Sequence, residues 1–128
     1  MRASNELLEA ITIALRRGGA RFAFLHGSRV TGQAREGSDL DVAAYWGADP
    51  PRSWDVPLPE GVDLMVLDEA PLELRGRVAV GGEVLFDDDP PRRVEWQAVT
   101  RKIYFDEEPR QRRLDQDFAK GRRRGRRA

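Results

Sequence analysis

Cysteine is absent from the 128-residue chain, so neither a disulfide framework nor a thiolate metal site is available. Histidine occurs once, at His26, which excludes a His-rich zinc cluster. No apolar run approaches the roughly 20 residues that a membrane span needs. The N-terminus lacks a basic start ahead of an apolar core, so no secretory signal is expected and a cytoplasmic protein follows by default. Net charge is zero too, with 22 basic and 22 acidic residues, but the charges are unevenly placed. From residue 110 onward nine are basic and two acidic, leaving 13 basic and 20 acidic in the first 109. An acidic body with a basic end suggests an interaction tail.

What is present suits one small domain with its own core, at 40% hydrophobic residues. Leu7, Leu8, Ile11, Ala14 and Leu15 recur at helical spacing, predicting a helix over residues 5–17 capped by Ser4 or Asn5 and stopped by Gly18-Gly19. Strands are expected over 20–25, 39–46, 62–67 and 83–86. Residues 28–33 read as a short helix and 34–37 as a loop. Four prolines between Gly47 and Gly61 make that stretch a loop, in which Trp54 is expected to anchor on the core rather than act as a lid. Helices are expected from Pro71 to about Val80 and from Pro91 to Phe105, the latter continuing over 110–120. Asp87-Asp88-Asp89 reads as a turn with helix-capping carboxylates, not as a metal site.

The chemistry concentrates in one stretch. The run Phe22 to Leu25 ends at Gly27-Ser28, and ten residues later Asp39-Leu40-Asp41 enters a second apolar run, Val42 to Tyr45. In a strand, Asp39 and Asp41 share one face and can grip the same hard cation. A Gly-Ser at a strand-to-helix turn offers backbone N–H groups and a hydroxyl to phosphate oxygens. Asp63, in the run Val62 to Leu67, adds a third carboxylate. Both faces of that run are mostly apolar, as in a central strand covered on both sides, where a carboxylate is costly unless paired or metal-bound. The plain alternative is a loop between two ordinary strands, with Asp39 and Asp41 as solvated charges and Asp63 at an exposed strand edge. His26, a lone histidine beside a turn, reads as structural, with nucleotide contact as the alternative.

The set Gly27, Ser28, Asp39 and Asp41, with Ser38 before the first Asp and Asp63 on the next strand, resembles the signature of the DNA polymerase β-like nucleotidyltransferases. More narrowly it resembles the minimal nucleotidyltransferases (MNT) of HEPN–MNT toxin–antitoxin modules. Val94-Glu95-Trp96 to Tyr104-Phe105-Asp106, followed by Pro109, is similar to the C-terminal part of that family. One departure is Thr31 after Arg29, where many relatives carry a second basic residue.

The resemblance implies an α/β (α+β) nucleotidyltransferase fold: a small mixed β-sheet of about four strands flanked by helices, over residues 1–120; the Arg-, Gly- and Ala-rich composition of 121–128 reads as a basic, disordered tail. The resemblance also implies transfer of AMP from ATP to a hydroxyl. Asp39, Asp41 and Asp63 would hold two Mg²⁺ ions, and Gly27, Ser28 and Arg29 would contact the triphosphate. The expected acceptor is a tyrosine of a cognate HEPN-domain ribonuclease toxin, a separate chain that is silenced in a hetero-oligomer. Two other classes stay open: a small-molecule, aminoglycoside-type nucleotidyltransferase, and a non-catalytic antitoxin acting by binding alone. No membrane partner is expected, and direct nucleic-acid binding through the basic tail stays open.

Overall fold

A computed structural model of the protein describes residues 4–26 and 40–107. Gly27, Ser28, Arg29, Asp39, the short helix expected at 28–33, the helical continuation at 110–120 and the basic tail all lie outside the described residues.

Helix α1 (Asn5–Arg17) starts where the Ser4 hydroxyl accepts from the Leu7 N–H at 3.1 Å. It stops at Gly18, and Gly19 turns the chain in the left-handed region (φ 92°), a conformation glycine adopts without a Cβ penalty. Strand β1 (Phe22–His26) follows, two residues later at its start and one later at its end than the strand expected over 20–25. Strand β2 (Leu40–Tyr45) pairs with it antiparallel. Residues 46–61, carrying the short 3-10 turn Ser53–Asp55, then bring strand β3 (Val62–Val66) alongside β2 in parallel. A parallel pair needs a crossover of about a dozen residues, and here a proline-rich loop supplies it. Helix α2 (Leu72–Gly81), strand β4 (Glu83–Asp87) and helix α3 (residues 90–107) complete the described fold. The sheet order is β3-β2-β1-β4, with β4 antiparallel to β1.

Strand alternation sends side chains to two separate cores. Ala23, Val42, Ala44 and Val66 meet Ile11 and Leu15 of α1 on one face. Phe22, Phe24, Ala43 and Tyr45 meet Val78 and Ala79 of α2 and Trp96 of α3 on the other. Phe22 stacks on Tyr45 with ring centroids 4.8 Å apart, and Trp96 lies 5.6 Å from Phe24. Arg92 of α3 donates to the Tyr45 hydroxyl at 2.6 and 3.0 Å, and Arg101 donates to the Ala79 carbonyl of α2 at 2.7 Å. The two C-terminal helices are thereby fixed to the sheet and to each other.

Of the three consecutive aspartates at the end of β4, only Asp89 caps a helix as the sequence suggests; the other two are held by arginines. Asp88 takes a two-point bond from Arg16 (2.8 and 2.9 Å), which holds its carboxyl below the usual range. Asp89 accepts from the Arg92 N–H at the start of α3, and Asp87 pairs with Arg93. Each carboxylate thus has an arginine or a helix end as its partner.

Strand β3 departs from expectation. It is the edge strand of the sheet, not a central one, and Asp63 is exposed. Its two apolar faces arise because Val62, Leu64 and Val66 pack toward the α1-side cluster and Met65 toward the other. Burial cost therefore gives no reason for a partner at Asp63, and the alternative of a carboxylate at an exposed strand edge is the arrangement observed.

Candidate active site

The register of the three adjacent strands sets the geometry. His26 pairs with Asp41 across β1 and β2, and Asp41 pairs with Asp63 across β2 and β3. Residues opposite one another in a sheet point to the same face, so His26, Asp41 and Asp63 form a row across three strands. By alternation this is the face of Phe22, Phe24, Ala43 and Tyr45. The row lies at the last residue of β1 and the second of β2 and β3, one end of the sheet. The aromatic core fills the same face further along and leaves this end to polar side chains.

The surroundings change along the row. Asp63 is exposed, Asp41 half-buried and His26 half-buried. The Nε2 atom of His26 is buried and has no hydrogen-bond partner among the described residues. Burial pushes the imidazole pKa below its ordinary value, against the opposing pull of Asp41 and of a backbone hydrogen bond at Val42. The neutral ring is favoured, beside a half-buried carboxylate.

Of the residues singled out in the sequence, the fold brings Asp41 and Asp63 to neighbouring positions on one face. Asp39, two residues before Asp41, lies outside the described residues, as do Gly27, Ser28 and Arg29. Among the described residues no three His, Cys, Asp or Glu side chains form a metal-binding group. The donor chemistry does suit a hard divalent cation, since two carboxylates on paired positions offer several oxygens to one region.

His26 belongs to this row. Period-2 spacing from Phe22 and Phe24 was the available signal, but the pairing with Asp41 depends on a register across the intervening residues. Trp54 requires a correction. It is 75% exposed and does not anchor on the core. Val56 and Leu58 of the same loop take that role, with Val56 buried and Leu58 packed against the α1-side cluster. Trp54 instead lines an open groove of about 490 Å³ along the β3 edge, which it shares with Asp63.

Comparison with known proteins agrees with this geometry. The profile described as polymerase beta, nucleotidyltransferase matches residues 9–91, more than half of the chain. No curated protein matches in sequence. Among solved structures, a chain of a toxin–antitoxin complex with AMP-PNP is similar at a TM-score of 0.72 and 20% identity, covering 88% of this chain and 98% of that one. A chain of the MntA–HepT toxin–antitoxin complex is similar at 0.71 and 18%, covering 91% and 99%. A chain from the tri-AMPylated Shewanella oneidensis HEPN toxin in complex with MNT antitoxin is similar at 0.70 and 19%, covering 89% and 97%. At these identities the structures show a common fold. With β1, β2, β3 and their carboxylate row inside the matched segment, the chain belongs to the polymerase β nucleotidyltransferase family.

Proposed function

We propose that this protein is the nucleotidyltransferase antitoxin of a toxin–antitoxin pair, transferring AMP from ATP to a tyrosine hydroxyl of a HEPN-domain ribonuclease and so silencing it. The observation that carries the reading is the in-register pair Asp41 and Asp63 on one sheet face, within a family-matched segment. The likeness to a chain from a complex containing an AMPylated HEPN toxin supports the choice of acceptor.

Asp41 and Asp63, with Asp39, are assigned as ligands of two Mg²⁺ ions. When bound, such ions neutralise the triphosphate and the charge on the attacking and leaving oxygens. Gly27, Ser28 and Arg29 directly follow β1 and are assigned to the triphosphate. The tyrosine oxygen bonds to the α-phosphorus, the bond to the bridging oxygen breaks, and pyrophosphate leaves. Asp63, the exposed member of the row, is the carboxylate an incoming hydroxyl can reach, and it takes the proton. Asp41 is less exposed and suits a fixed structural carboxylate under the nucleotide. Most of the rate gain in such a transfer comes from positioning and charge neutralisation.

The test is intact-mass analysis of the partner after co-expression. Wild type is expected to add one or more AMP masses, and Asp41→Asn and Asp63→Asn to add none. Full neutralisation of the toxin by both Asn variants at equal expression would favour masking by binding alone. Modification of an aminoglycoside with no protein modified would favour the small-molecule reading.

A further inference from the structure

The two edges of the sheet differ. β4 pairs with β1 through a register shift between Ala23 and Phe24, and it carries an acidic residue at each end, Glu83 and Asp87. Bulges and charges are the usual devices that keep a sheet edge from pairing with another chain. At the other edge, β3 pairs with β2 in continuous register from Val62 to Val66 and contains neither lysine nor proline. Its one charge, Asp63, lies on the face of the carboxylate row.

Two hydrogen bonds fix which backbone groups of β3 point outward. Leu40 N–H donates to the Gly61 carbonyl at 3.1 Å, and Leu67 N–H donates to the Ala44 carbonyl at 2.9 Å. Along a strand, the N–H and C=O of one residue point to the same side and successive residues alternate. Gly61, Asp63, Met65 and Leu67 therefore bond inward to β2, while Val62, Leu64 and Val66 present their groups outward. Two of those outward groups are used locally: Val62 N–H donates to the Pro59 carbonyl, and the Val66 carbonyl accepts from Glu69 N–H, both at 3.3 Å. The Val62 carbonyl, the Leu64 N–H and carbonyl, and the Val66 N–H have no backbone partner among the described residues.

We infer that β3 pairs antiparallel with β3 of a second copy of this chain about a two-fold axis at Leu64, joining two four-stranded sheets into one of eight strands. The free groups are self-complementary about that residue. Leu64 exchanges both of its bonds with Leu64 of the second copy, and each Val66 N–H donates to the Val62 carbonyl opposite. Every free group is used and none is left over, which a strand of unrelated sequence gives no reason to expect. The side chains agree. On the α1 side, Leu64 faces Leu64 and Val62 faces Val66, so the grooves of about 490 Å³ that Trp54, Val56 and Leu58 wall abut across the axis. On the other side Asp63 faces Met65 of the second copy, so no two carboxylates are opposed, and both carboxylate rows open on the same side of the joined sheet.

The test is sedimentation analysis of the full chain alone, from about 1 µM to about 200 µM, the range in which a small interface assembles. Wild type is expected to pass from 14.5 kDa to twice that mass as concentration rises. Over the same range the Leu64 and Val66 amides should exchange hydrogen at least about ten-fold more slowly. Leu64→Lys and Leu64→Glu each set like charges opposite one another and should stay at the single-chain mass, while their equimolar mixture regains the double mass. Leu64 is half-buried, so the thermal midpoint of each variant checks that it is folded, and amide protection in wild type carries the test should one unfold. A single-chain mass at every concentration overturns the inference. So does a dimer whose Leu64 and Val66 amides stay unprotected, or one that either charge leaves intact, since it forms through another surface. Protection that appears only when the proposed ribonuclease partner is added overturns it in favour of a strand from that partner. None of these outcomes measures AMP transfer, so the proposed function stands or falls separately.

Discussion

Gly76, in the middle of α2, sits directly against Tyr104 of α3. A Cβ built there would lie 2.1, 2.3 and 2.8 Å from Cδ1, Cγ and Cβ of Tyr104 on α3. Carbon atoms in contact prefer about 3.5–4.0 Å, so Gly76→Ala creates an overlap of about 1.4 Å. Rotating the Tyr104 ring cannot relieve it fully, because the Tyr104 Cβ is itself too close. Helix α3 must move, and it carries Trp96, which is packed against Phe24 beneath the sheet face of the candidate site. In an open helix the substitution would gain about 1 kcal/mol from propensity. Overpacking typically costs about 1–3 kcal/mol, and the overlap with the Tyr104 Cβ, which rotation of the ring cannot relieve, puts this site at the upper end. The expected net loss is about 2 kcal/mol. For a domain of this size, about 4 °C accompanies each kcal/mol, which makes a fall of about 8 °C in thermal midpoint. The assay is thermal unfolding of Gly76→Ala in the wild-type and Tyr104→Ala backgrounds. With the ring removed, only the Cβ–Cβ approach of 2.8 Å persists, and the penalty should shrink by at least about 1 kcal/mol. A raised midpoint in the wild-type background, or equal penalties in both, would refute the packing argument.

Two other expectations concern the ends of β1 and β2. Because burial lowers the His26 pKa in the folded protein, the unfolded chain binds its proton first as pH falls. Stability contributed at this residue is full above about pH 6.5, declines as pH falls toward the lower folded pKa, and levels off below it. Urea unfolding of metal-free wild type and His26→Gln at about pH 7.5 and about pH 5 should give a difference that moves against wild type at the acid end. The opposite movement would mean that attraction to Asp41 outweighs burial. At Asp68, replacement by Ala leaves the Trp46 and Gly47 N–H groups without their acceptor and should cost about 1–3 kcal/mol in chemical denaturation. Asp68→Asn keeps one acceptor oxygen and should lose less; equal losses would mean that the two bonds contribute nothing separately.

Local signals in the sequence carried most of the architecture. Helix α1 is readable because Ile11 and Leu15 recur at helical spacing between a serine cap and two glycines, all within one short segment. Asp41 and Asp63 are readable as candidates because each sits at the start of its own apolar run. Strand order and register are different in kind, because they are decided by pairing between distant segments. The apolar faces of Val62 to Val66 say that side chains pack on both sides of the strand, which an edge strand can do as well as a central one. Only the order β3-β2-β1-β4 distinguishes the two.

The same distinction explains His26 and Trp54. Alternation from Phe22 identifies the face of His26, but many hairpin lengths would have moved it past Asp41, and a shift by one residue would have put the carboxylate on the opposite face. For Trp54, composition favours burial of a large aromatic, yet the loop already has Val56 and Leu58 to bury, and its ends are tied by the Asp68 carboxylate on one side and the Leu40–Gly61 backbone bond on the other. With those anchors in place, burying the indole is not required to order the loop. The fold can leave it on the wall of the open groove along the β3 edge, whose apolar lining comes from Val56, Leu58, Val62 and Leu64.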